Sequence, residues 1–157
     1  MRQNLKVIWK RNYNAVENAL TNGIFCFIND VKVDLISHQY RLIDKIDVEK
    51  GIRMVSLKDI GAMKLNAIHG SGTRLKDFVD MYVLLEHFSL SELLQACHQK
   101  YPDLNIQMVQ MSLIHHEDID FLDRINYIGT KIKWNVIAER LKKAFYNPHI
   151  TFGTKSI

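Results

Sequence analysis

An α+β fold is predicted by this 157-residue sequence, and three observations predict it. Runs of β-branched and aromatic residues separated by turn signals are confined to the stretch from Gly23 to Val55. From Ser56 onward apolar residues recur every three or four positions, the period of an amphipathic helix. The two regimes follow one another, strands first and a helical bundle after them. The expected division is a sheet region over residues 1–55 and a helical domain over residues 56–157.

Composition narrows the class before any element is placed. At 47% hydrophobic and 24% charged residues the chain has the make-up of an ordinary water-soluble globular domain with a real core. No apolar run reaches the length of a membrane span and no signal-peptide pattern opens the sequence, so a cytoplasmic protein without membrane partners is expected. The formal net charge of +4 is mild; it is compatible with nucleotide or RNA partners and proves neither. Cys26 falls in an expected strand and Cys97 in an expected helix, where both read as small buried hydrophobes.

The first 22 residues carry the weakest signal. Leu5, Val7, Ile8 and Trp9 suit a helix or a strand, and the polar run from Asn12 to Asn22 suits a loop or a short helix around Ala15–Leu20. Next, Ile24–Ile28 and Val31–Ile36 flank Asn29-Asp30, the pattern of two strands joined by a two-residue turn. In the second strand Lys32, Asp34 and Ile36 share one face, and an aspartate there is disfavoured by propensity, so it lies on a wet face or has a purpose. A charged linker from Arg41 to Lys50 and a turn at Gly51 lead to a third short strand, Ile52–Val55. Together the strands would form the edge of a small mixed sheet.

Ser56 begins the most informative stretch. It caps a helix whose fourth-position acid, Asp59, completes a capping-box pattern. At 100° per residue Leu57, Ile60, Met63, Ala67 and Ile68 share an arc, and Lys64 projects between Leu57 and Ile60, so its ammonium needs an anion. A turn, His69-Gly70-Ser71-Gly72-Thr73, leads to a second helix with Leu75, Phe78, Val79, Met81, Tyr82 and Leu85 as its buried stripe and Asp77 and Asp80 together at the margin. The same residues have an ordinary structural explanation: a snorkelling lysine, a Lys76–Asp80 pair one turn apart and a plain interhelical turn.

Lys64-Leu65-Asn66-Ala67, followed by Arg74-Leu75-Lys76-Asp77-Phe78-Val79-Asp80-Met81, resembles the third motif of the AbiEii/AbiGii nucleotidyltransferases, the toxin halves of type IV toxin-antitoxin and abortive-infection systems. The motif runs Lys-Leu-x-Ala, a short spacer, then Lys-Asp-x-x-Asp-Leu; here the spacer is one residue longer, Ser71 stands near a usual arginine, and Met81 replaces the leucine. The likeness runs from about Gly23 to the last helix. It implies a short remnant of a nucleotidyltransferase sheet and a site in which Asp34, Lys64, Asp77 and Asp80 are catalytic and Lys64, Arg74 and Lys76 meet the nucleotide. Asp34 would be the third of three carboxylates that hold Mg²⁺, a cation that takes hard oxygen ligands. The implied partners are a nucleoside triphosphate, an acceptor such as tRNA and a cognate antitoxin. The family's fourth motif, a single aspartate, would be one of Asp118, Asp120 and Asp123.

Beyond Leu85 the remaining signals are helical. Ser89 caps a segment over Ser91–Lys100, Pro102 interrupts, Asn105–His116 forms another, and a last helix over Lys133–Tyr146 buries Trp134, Ile137, Leu141 and Phe145 and exposes Arg140, Lys142 and Lys143. The His115-His116 and Cys97-His98 pairs fit no zinc spacing. The resemblance also sets a missing part in relief: no Gly-Gly or Gly-Ser helix start and no Asp-x-Asp pair precedes Asp34. The expectation is therefore the carboxyl-terminal portion of a nucleotidyltransferase, or a truncated and inactive one; the alternative is a non-catalytic helical interaction module.

Overall fold

A computed structural model describes residues 15–20, 23–122, 125, 127 and 131–153 of the chain. Among these residues strands come first and helices follow, as an α+β arrangement. The chain forms two compact units that meet in sequence at Tyr40 and Arg41.

The first unit holds an antiparallel sheet in the order β1-β2-β3, with β1 at Ala15–Leu20, β2 at Gly23–Ile28 and β3 at Val31–Ile36. The β2–β3 turn is the expected one, with Asn29 and Asp30 both at positive φ (49° and 65°), the geometry that matches strand twist in a two-residue hairpin. The loop or short helix expected around Ala15–Leu20 is instead a strand, paired with β2 through a register shift between Val16 and Asn18. Ala15, Glu17, Asn18 and Ala19 are poor strand formers, so the open edge of β2 decides their conformation. Cys26 is buried, its thiol 3.6 Å from the Val33 carbonyl.

The second unit opens with a separate hairpin, β4 at Asp47–Glu49 and β5 at Ile52–Met54, turning through Lys50 and Gly51 at positive φ. Among the described residues every pairing within the two sheets is antiparallel, where the sequence suggested the edge of a small mixed sheet. The third strand finds its partner inside the stretch read as a linker.

Among the described residues five helices follow: α1 at Leu57–Gly70, α2 at Leu75–Leu84, α3 at Leu90–Lys100, α4 at Ile106–Ser112 and α5 at Trp134–Tyr146. α1 packs against α2, α3 and α4, and α5 closes over α2. Leu65, Phe78, Met81, Leu85, Leu93, Leu113, Ile137 and Leu141 are at most 1% exposed and form the centre of the core. Burying each such side chain contributes about 1.5–3 kcal/mol. Gly61 allows the closest approach: a Cβ there would lie 2.6 Å from Leu93 Cδ2, so α1 and α3 meet where α1 has no side chain. The capping box expected at Ser89 is present, with Glu92 bonding back to the Ser89 N–H. None of the described helices is long and apolar enough to cross a membrane.

α1 does not bury the arc its apolar residues suggest. Asp59, Gly61, Ala62, Leu65 and Ile68 face inward, whereas Leu57 is 46% exposed. The rotation follows from an ion pair with no exposure on either side chain: Lys100 Nζ, at the end of α3, lies 2.6 Å from Asp59 Oδ1. Lys100 also donates to the Arg41 carbonyl (3.0 Å), and Asp59 accepts from the Ile43 and Asp44 N–H groups and the Ser56 hydroxyl. These bonds tie residues 41–44 to the helices. Residues 41–44 accordingly belong to the compact unit that holds the helices, which begins at Arg41.

Burial raises the Asp59 carboxyl, but the bonds from Lys100, Ser56, Ile43 and Asp44 outweigh it and bring the pKa from 3.8 down to about 2. A depressed acid stabilises the fold above its unfolded pKa, and that contribution fades as pH falls through the folded one. Chemical denaturation as a function of pH should therefore show about 2 kcal/mol lost between roughly pH 4 and 2, a loss absent in Asp59→Asn. Lys100→Met, which leaves Asp59 buried without its counter-ion, should cost about 3–5 kcal/mol at neutral pH. The double substitution Asp59→Leu with Lys100→Met should cost less than the sum of the single changes, because no buried charge remains.

Candidate functional site

The α1–α2 hairpin carries the cluster that the sequence singles out. Ser56 caps α1 by accepting from the Asp59 N–H at 3.0 Å, which fixes where the helix starts and hence where Lys64 projects two turns later. After α1 the chain turns through Ser71, Gly72 and Thr73; Gly72 sits at φ +66°, and the Ser71 and Thr73 hydroxyls are 2.7 Å apart. Arg74 then begins α2 without a side-chain cap, and Asp77 stands in the first turn, where a carboxylate meets the positive end of the helix dipole.

Two cations, Lys64 and Arg74, converge on Asp77. Lys64 Nζ donates to Asp77 Oδ1 at 2.9 Å and lies 2.5 Å from Asp80 Oδ2. Arg74 Nε donates to the other Asp77 oxygen at 2.7 Å, and its Nη2 is equally close. The Asp77 side chain is only 2% exposed, against 46% for Asp80 and 49% for Arg74. Asp77 is thus a buried anchor and not the marginal residue its place on the helical wheel suggests. Lys64, 26% exposed, lies at the rim. Burial would lower the Lys64 pKa, but the hydrogen bonds and charges of Asp80 and Asp77 overcome that and hold it above the ordinary 10.5.

The remaining sequence-derived residues are distributed unevenly. Lys76 is exposed, and the Lys76–Asp80 pair does not form because Asp80 turns to Lys64. Asp34 lies on β3, in the unit ending at Tyr40, with Lys32 Nζ at 3.7 Å on the same strand face. Among the described residues no group of three or more His, Cys, Asp or Glu side chains is placed to hold a metal ion. Of the three later aspartates, Asp118 pairs with His115 at 3.3 Å, and Asp123 lies outside the described residues. Asp120 comes to the cluster: its N–H donates to the Thr73 carbonyl at 2.8 Å, and it forms an isolated parallel bridge with Arg74.

Two contacts between residues named from the sequence are absent from the sequence reading. The Arg74–Asp77 pair was legible as an i,i+3 contact, but Arg74 was assigned to the nucleotide alone. The Asp120 bridge joins residues 46 positions apart and leaves no local trace. Arg140, expected on the exposed basic face of α5, instead lies 3.5 Å from the Tyr82 ring centroid and donates to the Tyr82 carbonyl and Glu86, so it clamps α5 to α2. Cys97 is fully buried and burial pushes its thiol up to about 11, so it remains a protonated packing residue.

In the described chain strands are followed by helices, and a lysine of one helix is held by two aspartates of the next. The family model described as "Nucleotidyl transferase AbiEii toxin, Type IV TA system" matches residues 27–109, more than half of the chain, and the chain belongs to that family. The matched span holds Asp34, Lys64, Arg74, Lys76, Asp77 and Asp80 and ends before Asp118. Comparison with curated proteins and with solved structures gave no match.

Different burial implies different costs for the two carboxylates. Asp77→Ala, which strips Lys64 and Arg74 of a shared desolvated acceptor, should lower unfolding free energy in urea by about 2–4 kcal/mol. Asp80→Ala, at a half-open position, should cost under about 1 kcal/mol, and that loss should shrink further at high salt.

Proposed function

We propose that Lys64, Arg74, Asp77 and Asp80 form the nucleotide-facing part of a nucleotidyltransferase site, and that this chain alone does not carry out the transfer. The observation that supports the reading most is the double engagement of Lys64 by Asp77 and Asp80 within the family match. An ammonium has three donors, and two are directed to carboxylates, which leaves one for a phosphate oxygen. Arg74 uses Nε and Nη2 on Asp77 and is half exposed, so N–H groups of its guanidinium remain for an arriving anion. The carboxylates orient the cations; Lys76 adds an exposed positive charge on the same helix.

The residues present do not fit the Mg²⁺ site that the family implies. Asp34 is a single carboxylate with an ammonium as its neighbour, no Asp-x-Asp pair precedes it, and the described residues contain no metal-ligating cluster. In-line displacement at phosphorus with a metal pair needs more oxygen ligands than Asp34 supplies. A tRNA acceptor and a cognate antitoxin belong to this proposal through the family alone. A second reading, a non-catalytic interaction module, draws support from the same geometry: Asp77 has both oxygens satisfied by Lys64 and Arg74, which locks α1 to α2 without any ligand.

Purified protein incubated with labelled nucleoside triphosphates, Mg²⁺ and bulk tRNA should show no incorporation; robust transfer abolished by Asp34→Ala would overturn the inactivity reading. GTP should bind with a dissociation constant on the order of millimolar, weaken with salt, and bind several-fold more weakly to Lys64→Ala in an NMR titration. Equal shifts in both proteins would assign Lys64 a structural role and favour the interaction module.

A further inference from the structure

Phe121 is an exposed aromatic residue that directly follows Asp120 in the chain, and contacts on both sides brace its segment. Ile119, 7% exposed, roots the segment in the core; Asp120 is fixed to Thr73 and Arg74 by its backbone; and the Asp120 side chain accepts from the Leu122 N–H at 2.8 Å. The Phe121 ring is braced by Trp134, with centroids 5.4 Å apart and planes at 75°, yet it remains 53% exposed. Trp134 in turn meets Phe78, the residue after Asp77, at 6.0 Å. Phe121 is therefore tied to the cluster from two directions, through the Arg74 bridge and through the Trp134–Phe78 contact. Bridged backbones lie about 4.8 Å apart and the next Cα is about 3.8 Å further along, so Phe121 stands within one nucleotide's reach of Arg74.

An aromatic ring braced by a neighbouring indole, half open to water and one residue beyond a backbone bridge to Arg74 has the properties of a stacking platform beside an anion site. We infer that Phe121 stacks on the nucleobase of the nucleoside triphosphate whose phosphates meet Lys64 and Arg74; the inference rests on the function proposed above and names a residue that contacts the base. The chemistry is sequence-tolerant, because every nucleobase offers a π-face, and it accounts for an aromatic side chain left exposed while its neighbours Ile119 and Trp134 are drawn into the fold.

The test separates base from phosphate. ¹⁵N-labelled full-length protein is titrated with GTP and, separately, with inorganic triphosphate, following the Trp134 indole N–H and the Arg74 Nε–H. GTP should shift both signals, and inorganic triphosphate only that of Arg74. Phe121→Ala should weaken GTP binding about tenfold, remove the indole shift and leave triphosphate binding unchanged, whereas Phe121→Tyr should retain the wild-type behaviour. GTP bound equally by wild type and Phe121→Ala, or triphosphate bound as tightly as GTP by wild type, overturns the stacking role while leaving the phosphate site intact. If neither ligand moves Arg74, the nucleotide reading fails and the stacking role with it. Because Phe121 is half exposed, its variants should fold, and an unchanged thermal midpoint checks that they do.

Discussion

The helical unit depends on a charge pair that water does not reach. Asp59 and Lys100 are both fully buried, and removing two ions from water is tolerated only when each is paired and its remaining hydrogen-bonding capacity is used. Here that condition is met: Lys100 has Asp59 and the Arg41 carbonyl, and Asp59 has Lys100, Ser56 and two backbone N–H groups. One carboxylate thereby fixes the start of α1, the end of α3 and the path of the chain before β4. A hydrophobic substitute could fill the same volume, but it could not satisfy the Ile43 and Asp44 amides, so the polar solution also specifies a register.

That register reaches the candidate site through α1. Asp59 and Lys64 are five residues apart, so turning Asp59 inward sets the direction of Lys64 on the opposite margin of the same helix. With Ala62 and Leu65 in the core, Lys64 emerges at the seam with α2, where Asp77 is buried at its first turn. Two carboxylates with low exposure thus divide the work. Asp59 holds the bundle together from inside, and Asp77 holds the hairpin at its edge while keeping two cations oriented.

The parts of this arrangement that were legible in the sequence are those carried by local chemistry. Ser56 and Ser89 announce helix starts through side-chain capping, Asn29-Asp30 announces a hairpin, and Lys64 in an apolar neighbourhood demands an acid. The Lys64 partners, Asp77 and Asp80, were therefore within reach of sequence reasoning. The β1 strand, the β4–β5 pairing and the inward face of α1 were not, because each is decided by a partner distant in the chain or by a partner whose own conformation was unreadable. Lys100 illustrates the limit: at the end of an amphipathic helix a lysine reads as a favourable C-terminal charge, and nothing local marks its burial. Arg140 was misplaced for the same reason, since its stacking on Tyr82 depends on how α5 lies across α2.

The electrostatics of the cluster bear on what it can hold. Lys64 and Arg74 together carry two positive charges and Asp77 and Asp80 two negative ones, so the four side chains are formally neutral. A polyanion is therefore attracted less by net charge than by oriented donors, and it must compete with carboxylates already in place. Asp80 is the partner that can yield, because it is half exposed and can be solvated when Lys64 turns to a phosphate; Asp77 cannot, because releasing it would leave a desolvated anion. A phosphate accepted in this way exchanges one ion pair for another with little net gain. Under the proposed function, affinity must then come from contacts outside the cluster, and the groups that would supply it are exposed Lys76 and the aromatic segment that Asp120 ties to Arg74.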